Sequence, residues 1–321
     1  MNSQIFAEWM RRQGHQVIRT CSSYWYDAGP HVLQAFPYHW LISPSPEEIE
    51  DLIVTHKIAS VRYSTLLNSP LGKVSYHIIL HNPYSMDTLK SQARNGVKRG
   101  LSRCGIEQIS FERLATEGWN LQQDTLDRQN RLRSMTQSEW ERICRSAADL
   151  PGFEAWAAVS NGELASAVIV CQIDKTWCVP YALSHRRFLN DHVNNALFYS
   201  VSCNLLAREN VEGIFFTVQS LDAPPTVDDF KLRMGLTARP VRQRVDFHPW
   251  LKPLATPVTH KLFSRLLQHD DGNPTIAKTE GMLRFYLEGR QSLTNQNWPE
   301  CLMSCKEKIP GSTGGYCNDQ T

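Results

Sequence analysis

The alternation of apolar and polar positions is clearest between residues 153 and 236. The first part, FEAWAAVSNGELASAVIVCQIDKTWCVPYALS, contains strand-like runs that are separated at Asn161-Gly162 and at Asp174-Lys175. An Asn-Gly pair between apolar runs is a strong signal for a two-residue hairpin. Apolar side chains then recur every fourth residue, at Val193, Leu197, Val201 and Leu205. This spacing predicts a helix that follows a set of antiparallel strands.

The segment after that helix completes a recognisable structural unit. It contains a short apolar strand at 214–218, a turn rich in Pro and Asp, and an amphipathic helix that ends at Gly235. Antiparallel strands followed by a helix, a strand and a helix form an α/β unit. We therefore predict an α/β (α+β) fold in which a mixed sheet is flanked by helices.

The N-terminal part shows a similar alternation. Residues 15–43 are aromatic and β-rich, with a predicted turn at Ala28-Gly29-Pro30. Ser45 and Pro46 then open a helix, because Ser is a favoured N-cap and Pro is favoured in the first turn. Two strands follow at 58–67 and 73–81, joined by a loop. This half therefore reads as strand, helix, strand and strand.

Residues 86–105 hold the densest cluster of positive charge and also two glycines. The apolar stripe consists of Leu89, Ala93, Val97 and Leu101, and the basic stripe of Lys90, Arg94 and Lys98. Both stripes have a spacing of four, which predicts a basic amphipathic helix. Gly96 and Gly100 each weaken such a helix by about 1 kcal/mol. A close contact with a helix or a ligand would explain them; the alternative is a solvated basic face.

The rest of the chain supplies further elements of both kinds. A strand is predicted at 106–114, helices at 120–130 and 138–150, a final strand at 238–250, and helices at 258–268 and 275–291. From Thr294 onward the chain is polar and is expected to be loosely ordered.

Composition narrows the class of protein. The chain has 321 residues, 41% hydrophobic and 21% charged, which is typical of a soluble globular protein of about two domains. No apolar run approaches the ~20 residues of a membrane helix, and residues 1–16 lack a signal-peptide core. Nine cysteines without regular spacing favour reduced thiols. We therefore predict a cytoplasmic protein. A net charge of +2 does not by itself indicate nucleic-acid binding.

The sequence contains none of the strong catalytic motifs. It has no Gly-x-Ser-x-Gly, no Walker-type loop, no His-Glu-x-x-His and no Cys-x-x-Cys. Cys301, Cys305 and Cys317 match no zinc spacing, so no metal site is predicted. His77 and His81 flank the end of a strand, and without a third ligand we assign them a core or surface role.

Three short motifs carry a resemblance to a known family. They are Tyr181-Ala182-Leu183-Ser184, Asn194-Asn195-Ala196-Leu197 and Phe230-Lys231-Leu232-Arg233-Met234-Gly235, preceded at 91–114 by the basic helix and a strand. This order resembles the C-terminal GNAT-type domain of Fem-type (FemA/FemB-like) acyltransferases, and it covers roughly residues 50–250. The resemblance implies two GNAT-like halves. We expect a degenerate N-terminal half with the basic linking helix at 1–105, a C-terminal GNAT-like domain at 106–253, and a helical extension with a flexible tail at 254–321.

One segment separates the chain from conventional acetyltransferases. Those enzymes hold the pyrophosphate of coenzyme A on the backbone amides of a Gly-rich loop at a helix N-terminus. The equivalent segment here, residues 185–195, contains no glycine, and bulky side chains hinder a close approach of the backbone. Fem-type enzymes also lack that loop and use aminoacyl-tRNA as the donor, so the departure favours the Fem-type resemblance.

The resemblance also suggests site residues. Lys231 matches the lysine of the Fem-type Phe-Lys motif, where it would stabilise negative charge on a tetrahedral intermediate or a phosphate; otherwise it is a surface lysine. Tyr181 and Ser184 end a strand, where a hydroxyl donates to an oxyanion or relays a proton, or is simply bonded to the backbone. Predicted substrate-binding residues are Gln219, Asn195, Arg233, Arg242, Arg94 and Lys98.

Three functions follow as alternatives. The first is an acyl- or aminoacyltransferase that moves an acyl group from aminoacyl-tRNA or acyl-CoA to a small or cell-wall-like amine acceptor by direct attack. It needs no tightly bound cofactor, and tRNA is then a partner. The second is a non-catalytic GNAT-like module that binds nucleic acid or another polyanion in a basic groove. The third is a conventional acetyltransferase with an unorthodox loop.

Overall fold

The computed structural model describes residues 3–129, 135–219, 228–269 and 273–308. The helices are α1 Ser3–Arg12, α2 Pro46–Thr55, α3 Ser91–Leu101, α4 Phe111–Glu117, α5 Trp119–Arg128, α6 Gln137–Ala147, α7 Val193–Leu206, α8 Asp229–Arg233, α9 Pro257–His269, α10 Pro274–Glu288 and α11 Met303–Lys306. The strands are β1 Val17–Arg19, β2 Tyr24–Gly29, β3 Val32–Phe36, β4 Ser60–Thr65, β5 Lys73–Leu80, β6 Gly105–Ile109, β7 Phe153–Ser160, β8 Glu163–Ile173, β9 Thr176–Ser184, β10 Gly213–Val218 and β11 Thr237–Phe247.

In the described part of the chain these strands form one mixed sheet. Their order is β1-β2-β3-β4-β11-β5-β10-β9-β8-β7-β6. The pairs β3–β4 and β9–β10 are parallel, and the other neighbours are antiparallel. The predicted mixed sheet flanked by helices is confirmed. β4 and β5 are consecutive in sequence but do not pair, because β11 lies between them and bonds to both.

Two of the local signals in the sequence produced the expected elements, whereas the strand predicted at 106–114 ends at Ile109 and helix α4 begins at Phe111. Asn161 and Gly162 have φ angles of 51° and 82°, and they connect the antiparallel strands β7 and β8. Such positive values are what a tight hairpin turn between twisted strands requires. Ser45 Oγ accepts a hydrogen bond from the backbone N–H of Glu48, 3.1 Å away, and so caps α2 as predicted.

Helices cover both faces of the sheet, and each face has its own apolar core. On the first, α1 and α4 to α6 pack over β7 to β9; we call it the α1 face. On the second, which we call the α7 face, α3 and α7 pack over strands that include β5, β8 and β10. Cys178 of β9 points to the α1 face, and its neighbour Trp177 points to the α7 face. The predicted domain boundaries at 105 and 253 stay a prediction.

The two glycines of α3 lie where this helix meets α7. The buried residues of α3 are Ala93, Gly96, Val97 and Gly100, while Leu101 is exposed. The predicted stripe is therefore wrong at Leu101, because the glycine side of the helix is the one that packs. A Cβ at Gly100 would lie 2.4 Å from the carbonyl oxygen of His192 and 2.8 Å from the Cβ of Ala196. Close helix contact thus explains these glycines.

Gly100→Ala is expected to lower the free energy of unfolding by about 2 kcal/mol, because overpacking forces α3 away from α7. Gly105→Ala is the matched control, since a Cβ there meets nothing within 4 Å. Chemical denaturation monitored by circular dichroism measures both variants. Equal free energies of unfolding for Gly100→Ala and Gly105→Ala would show that α3 can move away from α7 without loss of stability.

Candidate functional site

The central feature is a fork between β9 and β10. The two strands pair only from Thr176 to Cys178 against Gly213 to Phe215, and beyond that point they separate. Each strand has an irregularity where the fork begins. On β9 it falls between Cys178 and Tyr181, opposite Ile169 to Cys171 of β8. On β10 it falls at Phe216, opposite β5. Bulges of this kind redirect side chains next to active sites.

A cavity of about 260 Å³ opens at this fork, and we call it the fork hollow. Its walls come from both halves of the chain. β9 and β10 contribute Cys178 and Thr217, while the N-terminal half contributes Tyr26, Tyr38 and Arg62. The hollow lies on the α1 face, because Cys178 and Phe215 belong to the apolar core of that face.

A second cavity of about 270 Å³ adjoins the first, and we call it the side hollow. The two share Phe6, Tyr26, Tyr38 and Pro180 in their walls. The side hollow also contains Tyr181 and an ion pair in which His15 Nδ1 lies 2.8 Å from Asp27 Oδ1. A carboxylate in this position orients the imidazole ring.

Arg62 is a buried cation in the wall of the fork hollow. Its Nε donates to Gln243 Oε1 at 3.0 Å, and one Nη donates to the carbonyl oxygen of Gln219 at 2.9 Å. These two hydrogen bonds fix the guanidinium in the wall of the hollow. A fixed and partly desolvated cation beside a cavity is suited to an anion or to a developing oxyanion.

The polar network continues from Arg62 into the centre of the sheet. Gln243 donates through Nε2 to Ser64 Oγ, and this hydroxyl lies 2.8 Å from His77 Nε2. Since Ser64 accepts from Gln243, its own proton is available for the unprotonated nitrogen of His77. Burial, helped by the nearby His39, Arg239 and Arg62, lowers the pKa of His77 to about 3. His77 is therefore neutral at physiological pH.

Two tyrosine hydroxyls meet at the boundary between the hollows. Tyr38 donates to Tyr26 Oη over 2.8 Å. Burial raises the pKa of both phenols, so both remain protonated at neutral pH. Cys178 lines the same hollow, and its Sγ lies 3.4 Å from His39 Nδ1. The fork hollow thus combines one cation, hydroxyl donors and a thiol.

The structure places Lys231 apart from Tyr181. Lys231 lies on α8, where its Nζ is 2.6 Å from Asp228 Oδ1, and Asp228 also accepts from the hydroxyl of Tyr76. Tyr76 and the neighbours of Lys231 on α8 belong to the core of the α7 face. Tyr181 instead packs against Trp9 and Trp140 on the α1 face. These two candidate catalytic residues therefore do not share one cavity, because the sheet separates them.

Ser184 and Gln219 have structural bonds in this fold. Ser184 Oγ accepts from Arg128 at 3.0 Å and from Asn194 at 3.2 Å, and its backbone is bonded to Thr125. The residue is buried, so the expected catalytic hydroxyl is instead part of a closed network. Gln219 follows β10 directly, and its carbonyl holds Arg62 at the fork hollow. Its successor Ser220 lies outside the described residues.

One residue of the predicted basic groove, Arg242, cannot contribute to such a surface. Arg242 is buried under the loop after β4, where its Nε donates to the carbonyl of Leu67 at 3.1 Å, and burial lowers its pKa. It is therefore closed to a substrate, which corrects the prediction. Arg94 donates to the carbonyl of Leu89 at the start of its own helix. Lys98 and Arg233 are exposed.

Asn195 occupies the contact between three elements on the α7 face. Its Nδ2 donates to the sulfur of Met234 at 3.2 Å, immediately after α8. A Cβ at Gly96 of α3 would lie 2.9 Å from the same nitrogen. Asn195 therefore joins α3, α7 and the end of α8, close to the helix that carries Lys231.

The segment without glycine lines a cavity of about 950 Å³. Residues Arg186–Asp191 form a 3₁₀ helix there. Arg186 is paired with Asp124 and Asp127, and Arg187 with Glu163, so the acids of this cavity occupy its arginines. A phosphate would have to displace these carboxylates. This arrangement differs from the amide-lined anion site of conventional acetyltransferases.

Sequence reasoning missed most of the fork hollow. Arg62, Tyr26 and Tyr38 lie in strands or loops of the N-terminal half, and nothing in their spacing relates them to Cys178. A usable signal was present at two positions. Arg62 lies within the strand SVRYST and His77 within KVSYHIIL. Burying an ionisable side chain in a central strand is costly unless it is hydrogen-bonded, so such residues are candidates for a polar network or a site.

Comparison with known proteins supports the fold. No protein-family model matches the chain, and no curated protein matches it. The structure of FemX is similar at a TM-score of 0.54, with 10% identity over 77% of this chain and 92% of FemX.

Two further solved structures are similar to a comparable degree. The C-terminal domain of a proposed lysylphosphatidylglycerol synthetase from Agrobacterium fabrum has a TM-score of 0.50 and 13% identity, covering 75% of this chain and 87% of that one. A conserved protein of unknown function from Bacteroides thetaiotaomicron has a TM-score of 0.51 and 12% identity, covering 74% and 87%. The chain therefore has the fold of Fem-type proteins, as its sequence motifs predicted.

Proposed function

We propose that this protein transfers an acyl group from an activated donor to an amine acceptor by direct attack. The observation that carries the proposal is the fork between β9 and β10, which opens into a hollow with the fixed cation Arg62. Acyl transfer needs alignment of the two reactants and donors for the oxyanion, and little else from the protein. The fold shared with FemX supports the same class of reaction.

The donor in this proposal is an aminoacyl-tRNA, with acyl-CoA as the second candidate. The absence of glycine at 185–195 and the acid-paired arginines beside it argue against coenzyme A in its usual position. One of the similar structures is described as a proposed lysylphosphatidylglycerol synthetase, the product of which carries a lysyl group. This supports an aminoacyl group as the part transferred.

Each hollow receives one reactant. In the fork hollow the carbonyl oxygen of the donor points to Arg62 and to the hydroxyl of Tyr26, which stabilise the negative charge of the tetrahedral intermediate. In the side hollow the amine lies near His15, which accepts its proton while Asp27 orients the ring. The intermediate then collapses with cleavage of the donor's ester or thioester bond, and His15 returns the proton to the alcohol or thiol that leaves. His15→Asn is expected to lower kcat about 100-fold with little change in KM, measured in the transfer assay below. An unchanged kcat would remove His15 from the mechanism.

Lys231 is proposed to hold a phosphate of the donor rather than the reacting carbonyl, because it does not line the fork hollow. The phosphate would replace Asp228 as the partner of Lys231 Nζ, while Asp228 keeps its hydrogen bond from the hydroxyl of Tyr76. Loss of one charged hydrogen bond weakens binding by about 2 kcal/mol. Lys231→Ala should therefore raise KM for the donor at least about tenfold with kcat nearly unchanged. Steady-state kinetics measure this, with the exposed Lys278→Ala as control. A fall in kcat alone would place Lys231 at the reacting carbonyl instead.

The function is tested with a panel of labelled donors. Purified protein is incubated with bulk aminoacylated tRNA or acetyl-CoA, each carrying a radiolabelled acyl group, and with a set of small primary amines. Transfer of label to an amine, at a rate that falls in Arg62→Met, is the expected result. Salt-sensitive binding of tRNA by the folded protein, without transfer from either donor class, would favour the non-catalytic alternative.

A further inference from the structure

Exposed apolar side chains recur at every fourth residue from Trp250 to Leu266. They are Trp250, Leu254, Val258, Leu262 and Leu266, whose exposed fractions are 85%, 61%, 79%, 55% and 41%. The last three lie one helical turn apart on α9 and share one side of it. We call these five residues the apolar stripe. Isolated apolar residues on a surface need no explanation, but three on one side of a helix, with two more exposed just before it, indicate an interaction site.

The other side of α9 is already occupied. α9 packs against α10, with Phe263 against the small core that contains Phe285, and with His260 Nε2 2.8 Å from Glu280 Oε1. The helix is therefore anchored by one side and presents the stripe on the other. The stripe belongs to the fixed surface of the protein.

The charged side chains of the segment that carries the stripe have one sign. Residues 248–269, HPWLKPLATPVTHKLFSRLLQH, contain no aspartate or glutamate. Lys252, Lys261 and Arg265 are exposed. Lys261 and Arg265 each follow an apolar residue of the stripe by three positions, so they border it on α9. The result is an amphipathic surface with an indole, aliphatic side chains and flanking cations.

We propose that the apolar stripe lies on the surface of an anionic lipid bilayer. A helix with Trp and Leu on one side and Lys and Arg beside them lies in the plane of the membrane interface. Its apolar side chains then enter the headgroup region, and its cations contact anionic lipids. Within the described residues no helix has both the length and the apolar composition to cross a bilayer, so the contact proposed is peripheral.

A second copy of the chain fits this surface less well. A twofold interface would place the same patch against itself. Lys261 and Arg265 would then meet cations of the partner, and no acidic residue of 248–269 is available to separate them. An anionic bilayer satisfies both the apolar residues and the cations. This inference is independent of the proposed acyl transfer.

The test is sedimentation of the full-length protein with vesicles of phosphatidylcholine alone or of phosphatidylcholine with an equal part of phosphatidylglycerol. Binding to the anionic vesicles alone is expected, and it should weaken as salt rises. Val258→Ser with Leu262→Ser should reduce the bound fraction at least tenfold. The control pair Val54→Ser and Leu101→Ser, also exposed and helical, should bind as the wild type does.

Three outcomes would overturn the proposal. The first is no sedimentation with anionic vesicles at low salt, and the second is an equal loss of binding in the control pair. The third is a dimer in light scattering that becomes monomeric in Val258→Ser with Leu262→Ser, which would assign the stripe to a contact between copies. Because exposed residues alone are changed, circular dichroism should be identical for all variants.

Discussion

Arg62→Met is expected to lower the rate of acyl transfer by at least about 100-fold, the usual effect of losing one oxyanion donor. Arg62 is the cation in the wall of the fork hollow, and Gln243 together with the carbonyl of Gln219 holds it in place. Methionine keeps much of the apolar stem and removes the charge. If Arg62 stabilises the intermediate, kcat and kcat/KM fall together. The transfer assay with the donor panel measures both.

Removing a buried arginine also affects stability, so the comparison needs a matched variant. Arg242 is likewise buried and lies on β11, but it does not line the fork hollow. Arg242→Met should be destabilised about as much as Arg62→Met, by ~2–3 kcal/mol, while its transfer rate at a temperature where it is folded stays near that of the wild type. Equal losses of activity in both variants would show that Arg62 has only a structural role.

The sequence was sufficient to predict those elements whose signals lie within a few neighbouring residues. The Asn161-Gly162 turn, the Ser45 cap and the fourfold spacing of α7 all depend on residues a few positions apart. The Fem-type fold followed from motifs within residues 181–235. The prediction that Leu101 belongs to the packed side of α3 was wrong for a reason that is not local. The approach of α7 to the glycines of α3 decides which side of that helix packs.

The site was less predictable because long-range pairing forms it. β11 lies between β4 and β5, and this places Gln243 beside Arg62, 181 residues away in the chain. Tyr26 and Cys178 meet in one hollow only because both halves contribute to the α1 face. Lys231 and Tyr181 belong to motifs that the sequence analysis assigned to one catalytic site. In the structure the sheet separates them. The face on which a motif residue lies depends on register, which a bulge such as that of β9 changes.

Lowering the pH from 7 to 4 is expected to destabilise the wild type by about 3 kcal/mol more than His77→Gln. His77 is 2% exposed, and burial lowers its pKa to about 3 in the folded state. In the unfolded chain its pKa is about 6.5. Between these two values the unfolded state binds the proton and the folded state does not. The contribution of a neutral His77 is therefore complete above pH 6.5 and is lost progressively as pH falls toward 3.

Glutamine does not titrate, and its carbonyl oxygen can accept the hydrogen bond that Ser64 now gives to His77 Nε2. The variant therefore keeps the polar network and loses only the proton-linked part of the stability. Urea denaturation at a series of pH values gives the free energy of unfolding for both proteins. The exposed His56→Gln should follow the wild type. If the free energy of unfolding depends on pH in the same way for the wild type and for His77→Gln, His77 takes up its proton in the folded state. Water would then reach the polar network beneath the fork hollow.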